Sequence, residues 1–314
     1  MKIPIFASWI EKNFLFLALL FSAAALAEPG AFTWYKPHIP AMLGVVMFGM
    51  GLTLEFSDFR QVWDIKRLVF LGVFMQFAIM PSLAWLIATG LRLPKEAFIG
   101  LVIVGSCPGG TASNVVAYIA RANVPLSVVL TMSSTLLAPL LTPALIELLV
   151  GARVDVAFFA LMKEVFWIVL FPLFDGLVLR RFFRKQLEPF LALFPSVSIL
   201  AIVLIIACIM GLNKATLLAF PALVLAAVMM HNGLGLLLGY GGGKLFRMNE
   251  ADCRTIAIEV GMQNSGLGVA LAAKFFTPLA ALPSAIFSLW HNLSGITLAR
   301  YWSKRIPPAT SFTR

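Results

Sequence analysis

The sequence is poor in charged residues for its length, and this scarcity excludes a soluble globular protein. Only 12% of its 314 residues are charged and 61% are hydrophobic, whereas a soluble domain carries about 25% charged residues. The mean hydropathy is +0.95. The composition therefore predicts a polytopic membrane protein, and the next questions are how many spans it has and what they enclose.

Motifs of common enzyme chemistry are missing as well. The three cysteines, Cys107, Cys208 and Cys253, form no zinc-binding or disulfide pattern. The chain has no HExxH or GxSxG motif and no pair of aspartates in facing apolar runs. The glycine run that ends at Lys244 is not a P-loop, because no Ser or Thr follows the lysine. We therefore predict neither an enzymatic activity nor a cofactor.

The net charge of the chain is positive, +10 at pH 7. In a soluble protein this charge would suggest a nucleic-acid partner. In a membrane protein the same residues are better explained as loop residues that set the topology. We therefore expect no nucleic-acid partner, and we expect a monomer in a lipid bilayer.

What the sequence does contain is a series of apolar runs of about membrane-spanning length. Ten such runs, joined by short loops, lie near residues 13–28, 39–54, 67–91, 97–120, 125–150, 157–180, 194–212, 217–241, 253–275 and 282–302. Ten spans place both termini on one side, and seventeen of the 24 Lys and Arg residues then fall on that side. The positive-inside rule therefore predicts that both termini are cytoplasmic.

The first apolar run has two interpretations. It resembles a secretory signal peptide, because an A-x-A site at Ala25–Ala27 follows it. However, Glu11 and Lys12 lie unusually far in for the basic region of such a peptide. Its removal would also destroy the symmetry between the two halves of the chain, so we favour a retained first span.

The ten spans divide into two halves of five, residues 1–150 and 151–314. In each half a polar, glycine-containing stretch interrupts the fourth span: SCPGGTASNV (Ser106–Val115) in span four and EVGMQNSGLG (Glu259–Gly268) in span nine. An odd number of spans per half gives the halves opposite orientations. The pattern predicts an all-α inverted repeat with two discontinuous, crossing helices. The alternative is two unrelated kinks at corresponding positions.

The two interruptions bring together the chemistry of an ion site. A broken helix exposes carbonyl groups that suit a small cation and N–H groups that suit an anion. Oxygen-bearing side chains occur here at Gln76, Ser113, Asn114, Ser127, Thr131, Glu259 and Gln263. One carboxylate among neutral oxygens favours Na⁺ over zinc or copper. A buried glutamate can instead retain a proton, so H⁺ remains the alternative coupling ion.

These motifs resemble those of the bile acid:sodium symporter family. The resemblance is carried by CPGGTASNV, EVGMQNSG, MFGMGLTL (Met47–Leu54) and LWHNLSG (Leu289–Gly295). It runs nearly end to end and is strongest to bacterial members of the apical bile-acid transporter type. It implies a core of spans three to five and eight to ten, a panel of spans one, two, six and seven, and alternating access in a bacterial inner membrane.

The resemblance also implies the binding residues. A first Na⁺ site would use Ser113, Asn114, Ser127, Thr131 and Glu259. A second Na⁺ site would use Gln76, Glu259, Val260, Met262 and Gln263. The substrate would lie between core and panel, near Thr111, Asn264 and His291. The predicted function is Na⁺-coupled symport of an organic anion, such as a bile acid or a small carboxylate like pantoate; the alternative is a proton-coupled organic anion carrier.

Two further residues have open interpretations. Asp175 is an acidic residue in span six that the family pattern does not lead us to expect. It either faces the crevice or pairs with a cation near the cytoplasmic end, and Arg180 and Arg181, about one turn further on, favour the second interpretation. His231 is expected to be structural, hydrogen-bonded to a neighbouring helix.

Overall fold

The computed structural model describes residues 9–10, 13–151, 154–191, 193–215 and 221–305, and the regular structure in these ranges is helical. The first half of the chain forms α1 (Phe14–Ala27), α2 (Ile39–Thr53), α3 (Phe56–Asp64), α4 (Lys66–Gly90), α5 (Lys95–Gly105), α6 (Ala112–Ile119) and α7 (Val124–Val150). The second half forms α8 (Phe158–Val165), α9 (Phe171–Leu191), α10 (Phe194–Leu212), α11 (Pro221–Leu245), α12 (Glu250–Gly261), α13 (Ser265–Phe275) and α14 (Leu282–Ser303). A π-helical stretch, Phe166–Leu170, joins α8 to α9.

Several of these helices are long and apolar enough to cross a membrane. By length and composition these are α4, α7, α10 and most of α11. A fifth candidate is the pair formed by α1 and the helical stretch Gly30–Thr53, which meet at 116°. The apolar runs near 97–120 and 253–275 each contain two shorter helices, α5 with α6 and α12 with α13.

Unlike a typical soluble protein, this one exposes many large apolar side chains and buries a cluster of polar side chains at its centre. Large apolar side chains lie on the outer surface, where Phe70 is 69% exposed and Leu148 is 76% exposed. Polar side chains lie at the centre, where Ser113 and Thr131 are fully buried. An apolar exterior together with a buried polar cluster is typical of a polytopic membrane protein.

The most extensive helix–helix interfaces fall into two groups. One group joins α2 to α9 and joins α10 to both α1 and α2. The other joins α11 to α12, and α4 to both α5 and α11. Each group contains helices from both halves of the chain. Within the first group α1 buries Leu17, Ala18, Ser22 and Ala25 and packs against α10.

Asp175 does not pair with the basic residues that follow it. Among the described residues its exposed carboxylate takes part in no ion pair. Arg180 instead lies 2.6 Å from Glu55 and donates to the carbonyl oxygen of Leu52 at 2.7 Å. The carbonyl end of α2 and the adjacent carboxylate together attract the guanidinium more strongly than Asp175 does.

Candidate functional site

The two polar interruptions lie against each other at the centre of the protein. The backbone N–H of Gly110 donates to the carbonyl of Met262 at 2.8 Å, and that of Asn264 donates to the carbonyl of Pro108 at 2.8 Å. Gly109 and Gln263 form an isolated antiparallel bridge. Each interruption therefore satisfies the backbone polar groups of the other, which is what allows non-helical backbone at membrane depth.

Two glycines make this close approach possible. A Cβ atom on Gly110 would lie 2.6 Å from the carbonyl oxygen of Gln263. A Cβ atom on Gly109 would lie 2.8 Å from Oε2 of Glu259. Any larger residue would push the two interruptions apart or displace the carboxylate.

The carboxylate of Glu259 is surrounded by oxygen atoms. It stands near the end of α12 and is 4% exposed. The hydroxyls of Ser113 and Ser127 each lie 2.5 Å from its Oε1. The hydroxyl of Thr131 lies 3.1 Å from Oε1 and 2.9 Å from Oε2. The amide oxygen of Asn114 lies 2.9 Å from the Ser127 hydroxyl and 3.5 Å from that of Thr131.

This cluster has more close oxygen–oxygen contacts than its hydroxyl hydrogens can fill, because three hydroxyls make six such contacts. Its three hydroxyls contribute one hydrogen each, yet they make contacts with the Asn114 oxygen as well as both Glu259 oxygens. An oxygen-rich cluster with one negative charge suits a small hard cation. Within the described ranges no group of three or more His, Cys, Asp or Glu side chains could hold a metal ion.

The five residues predicted for the first Na⁺ site thus lie in mutual contact. Ser113 and Asn114 come from α6, directly after the first interruption, and Ser127 and Thr131 come from one face of α7. Glu259 comes from α12, directly before the second interruption. Their role as Na⁺ ligands stays a prediction.

The residues predicted for the second Na⁺ site are brought together only in part. The side-chain N–H of Gln76 donates to Oε1 of Gln263 at 2.7 Å and to the carbonyl of Cys107 at 3.2 Å. The Gln263 side chain donates to the carbonyl of Val260 at 2.8 Å. Oε1 of Gln76 is buried and has no hydrogen-bond partner among the residues that the structure describes.

Met262 and Glu259, the other two residues predicted for the second Na⁺ site, make their contacts elsewhere. The Met262 carbonyl accepts from Gly110, and its buried side chain belongs to an apolar cluster with Val116 and Ala299. The hydrogen bonds of Glu259 go to the first cluster.

The three residues predicted to contact substrate lie on separate helices. Thr111 is half-buried at the start of α6, where its side chain makes no capping hydrogen bond. Asn264 caps α13 by accepting from the N–H of Leu267 at 3.1 Å, and it faces Met47 of α2 at 3.9 Å. His291 is 3% exposed on α14, packs edge-on against Phe287, and its Nδ1 has no partner.

Some supporting residues were not predicted. Asn232 donates to the carbonyl of Gly261 at 2.8 Å, and so holds the last residue of α12. Its own oxygen accepts from Ser294 at 2.6 Å. Ser134 accepts from the N–H of Gly109 at 3.2 Å. The sequence contains a signal for Asn232, because an amide in an apolar run needs a partner and the structure buries it. Its neighbour His231 is also buried and contacts the carbonyl of Met80 at 2.9 Å.

Comparison with known proteins agrees with the motifs. The family model described as "Sodium Bile acid symporter family" matches residues 40–220. The chain is 45% identical to "Uncharacterized sodium-dependent transporter YocS" of Bacillus subtilis, across 94% of this chain and 92% of that protein. It is 37% identical to "Probable sodium/metabolite cotransporter BASS1, chloroplastic" of Arabidopsis thaliana, across 90% and 71%. It is 36% identical to "Probable sodium/metabolite cotransporter BASS2, chloroplastic" of Oryza sativa subsp. japonica, across 98% of this chain and 76% of that protein. The resemblance found in the sequence is confirmed.

Proposed function

Because this chain belongs to the sodium bile acid symporter family, we propose that it couples Na⁺ influx to the uptake of an organic anion by alternating access. Its relatives are named as transporters and cotransporters, not as enzymes. This agrees with the lack of catalytic motifs in the sequence. The protein is a bacterial membrane transporter, and we place both of its termini in the cytoplasm.

The observation that carries the proposal is the environment of Glu259. A carboxylate at the centre of an inserted helix costs about 2.5–3.5 kcal/mol on insertion scales. Here it is buried among Ser113, Ser127 and Thr131 without a basic side chain among its hydrogen-bond partners. A Na⁺ ion held by these oxygens offsets the charge, and that is the reason for a carboxylate at this depth.

A second Na⁺ is supported by Gln76. Its Oε1 is a buried acceptor without a partner, and leaving a buried acceptor unsatisfied is unfavourable by about 1–3 kcal/mol. Gln263, which accepts from Gln76, donates in turn to the carbonyl of Val260 near the end of α12. Two Na⁺ ions carry two positive charges, which together offset the charge of a monoanion.

We propose that the anion binds where the two interruptions face α2. There Asn264, at the start of α13, contacts Met47 of α2. The Thr111 side chain does not cap the N-terminus of α6, and in our proposal the positive end of this helix attracts the carboxylate or sulfonate. A bile acid or a small carboxylate such as pantoate fits this chemistry.

Transport then follows from the two groups of helices. We propose ten spans in two inverted halves, residues 1–150 and 151–314. The core comprises α4–α7 and α11–α14, and the panel comprises α1, α2 and α8–α10. The core, which carries both interrupted spans, rocks against the panel and exposes the site to each side of the membrane in turn.

Uptake into proteoliposomes tests this function. We expect an inward Na⁺ gradient to drive accumulation of cholate or pantoate, and Glu259→Ala to abolish it while the protein still inserts. Glu96→Gln changes a half-buried carboxylate at the start of α5 that belongs to neither proposed Na⁺ site and serves as the control. Undiminished Na⁺-driven uptake by Glu259→Ala would refute the proposal, and uptake driven by a pH gradient without Na⁺ would favour a proton-coupled carrier.

A further inference from the structure

A cavity lies between the beginning of α2 and the end of α13. Its volume is about 430 Å³, which is within the range of small-molecule sites. One wall is the beginning of α2 with the turn before it, including Ile39 and Pro40. The other is the end of α13, including Ala270 and Ala273. The basic-residue count predicts that this end faces away from the cytoplasm.

Two lysines line this otherwise apolar cavity. They are Lys36, in the turn before α2, and Lys274, in the last turn of α13. Lys274 lies 2.5 Å from Oε2 of Glu164. Lys36 takes part in no ion pair among the residues that the structure describes. The two lysines and the one carboxylate leave a net positive charge beside apolar walls.

We propose that this cavity is a binding subsite for an amphipathic organic anion, whose acidic group contacts Lys36 and Lys274 while its apolar part covers the wall. The cavity is distinct from the crossing: none of its lining residues belongs to either predicted Na⁺ site. An acidic group placed between two ammonium groups is favoured by charge, and the apolar remainder gains from leaving water.

Binding of the anion has a consequence for the contact between the helix groups. The ion pair of Lys274 with Glu164 joins α13 to α8. The Lys274 side chain is 48% exposed, and ion pairs of this kind contribute little net free energy. A bound anion can therefore replace Glu164 as the partner of Lys274. This loosens one link between core and panel, a step that rests on the proposed function.

Protection of an introduced cysteine tests the subsite without any transport. Ala273→Cys places a thiol in the cavity wall, and the parent chain gives the background because its cysteines are buried. In nanodiscs, in Na⁺-free potassium buffer, we expect cholate below its micellar concentration to slow alkylation of this thiol. We expect Lys36→Gln with Lys274→Gln to weaken the protection about threefold to fivefold. Glu164→Gln should make cholate protect at lower concentration, because Lys274 is then free.

The controls separate the possible outcomes. Lys163→Gln removes a neighbouring exposed lysine that does not line the cavity and should leave protection as in the parent. Absence of protection, protection unchanged in the double variant, or equal protection by sulfate would each overturn the subsite. Because the assay contains no Na⁺, protection without Na⁺-driven uptake would count against the proposed function alone. Na⁺-driven uptake without protection would count against the subsite alone.

Discussion

The two interruptions that contact each other at the centre of the molecule contribute different groups. The first, between α5 and α6, contributes close-approaching glycine backbone and then the neutral oxygens of Ser113 and Asn114. The second, between α12 and α13, contributes the carboxylate of Glu259 before the break and the amide of Gln263 within it. One interruption gives space and neutral oxygen atoms, and the other gives the charge.

The two helices that follow the interruptions, α6 and α13, also differ at their N-termini. The side chain of Asn264 accepts from the N–H of Leu267 and closes the N-terminus of α13. Thr111 makes no such bond at the start of α6. Of these two N-termini, a side chain therefore caps that of α13 and not that of α6, and we propose that α6 is the one that attracts the anion. In the proposed repeat, these corresponding elements would have separate roles, and the following variants test that division.

The largest effect is expected from filling the space that the first interruption provides. Gly110→Ala places a methyl group 2.6 Å from the Gln263 carbonyl oxygen, and because both partners are backbone neither can yield cheaply. We expect the free energy of unfolding to fall by about 1–3 kcal/mol. We also expect the loss of any rise in melting temperature that Na⁺ causes in the parent protein. Gly233→Ala, where a Cβ meets no atom within 4 Å, is the matched control. A Gly110→Ala protein with parental stability and Na⁺ response would show that the crossing does not need this glycine.

An intermediate effect is expected from removing one neutral oxygen. Thr131→Val keeps the shape of the side chain but removes the hydroxyl that contacts both oxygens of Glu259. We expect the Na⁺ concentration for half-maximal uptake to rise about tenfold, which corresponds to roughly 1.4 kcal/mol. Thr142→Val removes a buried hydroxyl without a partner from the same helix and should leave Na⁺ dependence unchanged. If the two variants behave alike, Thr131 is not a ligand.

The smallest effect is expected from substitutions at the N-termini of α6 and α13. Asn264→Ala removes the cap of α13 and should lower stability by about 1 kcal/mol, or about 2 °C in melting temperature. Thr111→Val removes no capping bond and should leave the melting temperature unchanged while it raises the KM for the anion. A loss of stability in Thr111→Val equal to that in Asn264→Ala would contradict the difference between the two starts.

Much of the site could be predicted from the sequence because burying polar groups is unfavourable. Hydroxyls, amides and a carboxylate in apolar runs need partners, and so Ser113, Ser127, Thr131 and Glu259 were expected together. The structure places them in contact. The breaks at the glycine-containing stretches were visible for a similar reason, since glycine and proline interrupt helices.

Other features could not be predicted, because they depend on which helices become neighbours. Arg180 was expected near Asp175 by spacing along one helix, yet tertiary packing brings the end of α2 and Glu55 to it. The support of Gly261 by Asn232 joins α11 to α12. The π-helical stretch Phe166–Leu170 leaves no distinct mark in a run of apolar residues.

The most direct test of the account is the Na⁺ dependence of thermal stability in the parent protein and in Glu259→Gln. Melting temperatures are measured in detergent over a range of NaCl concentrations, with KCl keeping the ionic strength constant. We predict that Na⁺ stabilises the parent in a saturable manner, as expected for a ligand that binds the native state, and that Glu259→Gln shows no such rise. Equal Na⁺ stabilisation of both proteins would contradict the claim that a cation neutralises Glu259 at the crossing.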